Sequence, residues 1–229
     1  MTSLFSWLNG ISDVILVCGA WVFAIYYTRQ YFKKKVKMYP FVAGVGYCEA
    51  IGFSGILISF IFALTTGNAN QITHITNILS YSTVGIGFWL CMYISWDVFF
   101  KPQYKKPALI LLAITGVGFY VIVYGFMDIM VTTPVVEPGE ILDDTLTYFS
   151  LAWFSMGFIG IFVFLLLALS FYRVGKRTAG IVRKKAIYLF LGYTLMILGV
   201  LLDTMLIFDY IFIARILLTF SFYLWYKGL

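Results

Sequence analysis

Long apolar stretches alternate with short polar ones along the whole chain, and the short stretches hold nearly all of the charge. An apolar run must reach roughly 20 residues before a helix can cross about 30 Å of hydrocarbon. Reading the gaps between charges at that length gives seven spans, at about 8–28, 40–64, 75–98, 107–127, 146–172, 186–207 and 210–227. The first ends at Arg29 and the run Lys33, Lys34, Lys35 and Lys37; the second opens at Pro40; the polar stretch from Thr65 to His74 separates the second from the third. The fifth is long enough to tilt. From Ala186 to Tyr226 the chain would reach about 61 Å as one helix, twice the hydrocarbon thickness, so it must turn back. The turn is expected at Phe208-Asp209-Tyr210, where Asp209 can cap the following helix. The pattern thus predicts an all-α integral membrane protein, a seven-transmembrane-helix bundle forming one domain over residues 1–229.

Composition removes the alternatives. Of the 229 residues, 62% are apolar and 11% charged, where soluble domains run at roughly 45–50% and about 25%. A soluble globular domain, a disordered chain and a disulfide scaffold are excluded. Charge adds an orientation. Of 16 Lys and Arg, all but Arg215 follow spans one, three, five and seven. The long loop after span four carries Asp128, Glu137, Glu140, Asp143 and Asp144 and no base. The positive-inside rule then places the N-terminus outside and the C-terminus in the cytoplasm, in what is expected to be the cell membrane. The basic loops point to anionic lipid headgroups, and a nucleic-acid partner is not expected. The N-terminal MTSLFSWLNG has no basic segment, so no signal peptide is expected.

Chemistry is sparse. One histidine, His74, excludes a bis-histidine haem and any multi-histidine metal centre, and is read as solvated at the outer interface. Asp143 and Asp144 offer too few oxygen ligands for a divalent cation. No protease, hydrolase or P-loop motif is present, so neither an enzyme nor a cofactor is expected. Cys18, Cys48 and Cys91 lie inside spans and read as packing residues. Gly44, Cys48 and Gly52 recur every fourth residue, a narrow seam for a close helix neighbour. None of the five prolines interrupts a span, which lowers the case for a rocking transporter with broken helices.

Charges inside the spans are the functional candidates, because each costs several kcal/mol unless paired or hydrated. Asp97 is explained by Lys101 four residues on. Asp203 and Arg215 are equally far from Asp209, so an antiparallel hairpin sets them at one depth, about 9 Å below the outer surface, as an ion pair. Asp13 shares that depth if span one begins near Leu4, and is an N-cap if the helix begins at Ser12-Asp13; counting back from Lys33 favours the cap. Glu49 stands about 14 Å beyond Pro40, near the midplane, with no base at its depth and with Tyr193 and Thr194 as candidate hydrogen-bond partners. It is expected to be held as the neutral acid. The ligand- or proton-binding candidates are therefore Glu49, Asp203, Arg215 and Asp13. They suggest a small-ligand-binding or sensing protein that signals through a partner chain. A small-solute or proton-coupled transporter, or a non-catalytic subunit of a membrane complex, is the alternative, and a membrane-protein partner or homo-oligomer is compatible with each.

Overall fold

The computed structural model describes residues 3–99, 101–143, 145–205 and 211–229. Its elements are α1 (Leu4–Lys34), α2 (Tyr39–Thr65), α3 (Thr73–Ser82), α4 (Val84–Phe99), α5 (Lys105–Gly125), α6 (Met127–Met130), the two-residue strands β1 (Val131–Thr132) and β2 (Thr145–Leu146), α7 (Leu151–Arg177), α8 (Gly180–Met205) and α9 (Ile211–Gly228). Short 3-10 turns precede α3 and α5. Among the described residues, six helical segments are long and apolar enough to cross a membrane, α3 and α4 counting as one. The chain is therefore a polytopic helical membrane bundle. The expected seventh span falls on α9, 18 residues packed along α8.

Packing neighbours close a ring. α2 touches α1 and α4, α4 touches α7, α7 touches α8, α8 touches α9, and α9 returns to α1. α5 stands outside the ring against α4 and α7, and is the least buried of the six apolar segments. A Cβ on Gly85 would lie 3.2 Å from Gly116 Cα, so α4 and α5 meet backbone to backbone. The expected small-residue seam on α2 faces α3 and α4: Gly44 lies under Leu90, Cys48 against Gly87, and Gly52 against Ser80 and Thr83.

The hairpin of α8 and α9 has a readable register. Gly192 packs on Trp225, Gly199 on Leu218, and Leu189 on Gly228. These three pairs share one antiparallel register, centred between positions 208 and 209, which agrees with the turn expected from span length. Phe208, Asp209 and Tyr210 themselves lie outside the described residues.

Two ends of the ring differ. Towards the end rich in lysine and arginine the interior is apolar and aromatic, built by Phe23, Tyr27, Phe164, Tyr193, Phe222 and Trp225 among others. Trp225 is 1% exposed and its ring centroid lies 4.6 Å from that of Tyr193. Towards the acidic end the interior holds Asn9, Asp13, Ser59, Asp143 and Arg215.

Two expectations are corrected, and the acidic loop adds a feature the sequence did not announce. α1 begins at Leu4, and Ser3 is its cap, with its hydroxyl accepting from Ser6 N at 3.2 Å. Asp13 therefore sits about two and a half turns inside the helix and is not its cap. The apolar run Leu4 to Ile11 extends the helix past the cap-like Ser12-Asp13 pair. The third span is interrupted at Thr83, whose hydroxyl donates to Cys48 O of α2 at 2.7 Å. That cross-helix bond, followed by Gly85 and Gly87, divides α3 from α4 without a proline. The long acidic loop forms the β1–β2 ladder and inserts Ile141 and Leu142, both 0% exposed, into the end of the bundle.

Candidate functional site

The loop between β1 and β2 is tied down before its tip enters the ring. Asn70 clamps Val136 in both directions, its Nδ2 donating to Val136 O at 2.8 Å and its Oδ1 accepting from Val136 N at 3.1 Å. Gly139 N donates to Gly67 O at 2.8 Å, and Asn77 Nδ2 to Thr133 Oγ1 at 3.0 Å. The buried tip is anchored by Leu142 N, which donates to Ser59 Oγ of α2 at 2.6 Å. Ile141 packs on Ile56 and Phe60, and Leu142 on Ala63 and Ala69. These contacts set Asp143 inside the bundle rather than in solvent.

Asp143 meets Arg215, which rises from the first turns of α9 and is 1% exposed. The guanidinium makes three ion pairs. Nη1 donates to Asp13 Oδ2 at 2.8 Å, Nη2 donates to Asp143 Oδ2, and Nε lies 3.8 Å from Asp203 Oδ1. The fork of arginine suits this arrangement, because its donors diverge in one plane towards partners on α1, the loop and α8. Beside it Asn9 Oδ1 accepts from Phe212 N at 2.9 Å, capping the start of α9 from α1. The centre thus joins α1, α8, α9 and the inserted loop through side chains that the bilayer interior would penalise if they stood alone.

Asp203 and Arg215 pair as the sequence suggested, yet this is the longest and wettest of the three contacts, Asp203 being 28% exposed. Asp13 belongs to the centre and is fully buried. Glu49 does not bond to Arg215. It lies on α2 at helical spacing from Val42, Val45 and Ile56, all buried, and is itself half-buried. Asp203 lies within electrostatic reach of it. Of the expected partners of Glu49, Thr194 donates its Oγ1 to Phe190 O at 2.9 Å, and the Tyr193 ring stacks on Phe171 and packs at a tilt against Trp225. His74 is exposed, as its interfacial reading required. The side chain of Asp97, and Asp144 as a whole, lie outside the described residues.

Asn9 and Ser59 were not singled out from the sequence, and Asp143 was weighed only with Asp144 as a cation ligand, not as a partner of Arg215. Asn9 and Ser59 carried a usable signal, polar side chains within apolar runs. Asp143 carried none, because it is one of five acids in a loop that reads as solvated. With this geometry in hand, comparison of the chain with protein-family models, with curated proteins and with solved structures finds no match.

Proposed function

We propose that the chain is a sensing membrane protein of the seven-helix type, with its acidic end outside. The loop of residues 131–146 and the Arg215 centre form the part that responds, and the basic cytoplasmic loops pass the response to a partner chain. The observation that carries this reading is Asp143. It belongs to the loop, whereas Asp13, Asp203 and Arg215 belong to helices, so one ion pair couples loop position to the ends of three helices. Neutralising Asp143, or offering Arg215 a competing anion, would release the loop tip and leave the helix ends to readjust around a changed charge balance. No enzymatic step is part of the proposal.

A proton- or solute-coupled carrier is the second reading, and Glu49 favours it as a half-buried acid within a span and within electrostatic reach of Asp203. Two measurements decide. In nanodiscs, Leu142→Cys should react slowly with a water-soluble maleimide, and adding Asp143→Asn should accelerate it at least about tenfold, a latch worth about 1.4 kcal/mol or more. Equal rates would remove Asp143 from the responding part. In proteoliposomes loaded with a pH-reporting dye, the sensor reading expects an imposed pH gradient to persist. Dissipation that Glu49→Gln abolishes would instead establish the carrier.

A further inference from the structure

At the acidic end of the bundle, the turn into α7 carries an aromatic side chain that a solvated turn would not favour. Phe149 has φ 61° and is 78% exposed. A left-handed backbone suits glycine or asparagine, and a bulky side chain adopts it at a steric cost. Among the described residues the other left-handed positions are Gly67, Gly139, Gly180 and Lys35, the last closing α1. Phe149 recovers little inside the protein. Its ring centroid lies 5.6 Å from that of Trp153 and 6.2 Å from that of Phe154, and most of its surface stays bare. We propose that Phe149 and the exposed apolar residues beside it form a foot that inserts into the headgroup and upper acyl region of the lipid leaflet at this end.

The foot is built from both sides of the acidic loop. Thr147 ties the turn to α6, its N donating to Met130 O at 2.9 Å and its Oγ1 to Ile129 O at 2.8 Å. Phe126 and Ile129, at the two ends of that short segment, are exposed. On the other side Ser150 caps α7 by accepting from Trp153 N at 3.1 Å, which fixes the turn directly above the helix. Leu151 and Phe154 then carry the exposed apolar surface down α7. The loop of residues 131–146 therefore leaves the foot and returns to it.

Depth along two helices identifies the occupant. Twenty residues of α7 separate Arg173 from Trp153, and twenty separate Lys106 from Phe126 along α5 and its C-cap, about 30 Å each and the thickness of the hydrocarbon. Neither interval holds a charged residue. The two counts are independent and reach one level, so Phe126 and Trp153 stand at the hydrocarbon edge, where tryptophan is favoured. Phe149, a turn further, falls in the headgroup layer, which adds roughly 5–7 Å on each side. Asp128, the acid of the foot, is exposed and at that depth keeps its water. Below the foot the exposed face of α7 continues through Phe154 and Phe158 into the span. Lipid covers that face, and the bare ring of Phe149 prolongs it without a polar break.

The test places single nitroxide labels on the full chain, freed of Cys18, Cys48 and Cys91, in phosphatidylcholine liposomes. Collisions with oxygen, which concentrates among acyl chains, are compared with collisions with a water-soluble nickel chelate. Labels at Phe149→Cys and Ile129→Cys should favour oxygen severalfold over a label at Val135→Cys, which is exposed in the loop beyond the foot. They should approach the ratio of a label at Phe158→Cys on the flank of α7. Ile129→Cys leaves the Phe149 turn intact and guards against a local defect in the other variant. Nickel access equal to that at Val135→Cys would put the foot in water and overturn the proposal. Poor access to both reagents would mean that a protein surface, a partner or a second copy, covers the foot, and would overturn it as well.

Discussion

A buried guanidinium in a membrane bundle is tolerable only when its donors are met, and Arg215 meets this with carboxylates from three directions. The partners are unequal. Asp13 is fully buried and bonded at 2.8 Å, whereas Asp203 is 28% exposed and 3.8 Å away. Water can replace Arg215 for Asp203 but not for Asp13. Asp13→Ala should therefore destabilise the solubilised protein by about 3–5 kcal/mol, the usual cost of stranding one half of a buried pair. Asp203→Ala should cost clearly less, in the range of an exposed pair, about 1 kcal/mol or below. Combining Asp13→Ala with Arg215→Ala should cost less than the two single changes added together. Thermal unfolding in detergent reads all of these, and equal effects for Asp13 and Asp203 would contradict the ranking. From the sequence, the depth argument correctly joined Asp203 with Arg215 because both are measured from one turn. It placed the strength of the centre wrongly, because Asp13 and Asp143 lie 202 and 72 positions from Arg215. Helical periodicity carries no information about contacts at that separation.

Among the elements, what was legible followed from length, and what was missed followed from tertiary contact. Forty-odd apolar residues cannot cross once, so the α8–α9 turn was predictable to within a residue or two of the observed register centre. The insertion of Ile141 and Leu142 was not, since an aliphatic pair inside an acidic loop gives no sign of which helices receive it. The close approach of α8 and α9 was legible only as scattered glycines. At Gly199 a Cβ would stand 2.6 Å from Leu218 Cδ2, and Ala214 O is 3.3 Å away, so the space is bounded by side chain and backbone alike. Gly199→Leu should force the hairpin apart and lower stability by about 1–3 kcal/mol or more, as overpacking does elsewhere. Gly118 on α5 has nothing within 4 Å of its Cβ position. Gly118→Ala should be neutral or stabilise by up to about 1 kcal/mol through the better helix propensity of alanine. The contrast distinguishes a packed glycine from an incidental one. If both changes prove silent, α8 and α9 are not in the contact described.

At the scale of the whole molecule, the ring is divided by depth into an apolar, aromatic half and a polar half sealed by a loop, with Glu49 at the boundary. The same division runs through the surface charge, because 15 of the 16 bases lie at the aromatic end and the loop acids at the other. The orientation proposed from the positive-inside rule would have residues 131–146 facing out and the α7–α8 connection facing the cytoplasm. Single cysteines can test it in a background from which Cys18, Cys48 and Cys91 have been removed. Cys18 is exposed on the flank of the bundle and would otherwise add its own signal. Gly139, though in the acidic loop, is buried and makes a poor reporter, whereas Val135 is 91% exposed and Lys176 is exposed at the opposite end. Val135→Cys should label with a membrane-impermeant thiol reagent on intact cells, and Lys176→Cys should label only after permeabilisation. Neither change touches the Arg215 centre or the core, so a folding defect would not mimic the result. Labelling of Lys176→Cys from outside would invert the molecule. The Arg215 centre would then face the cytoplasm, and the stimulus sought for the loop would have to be an intracellular one.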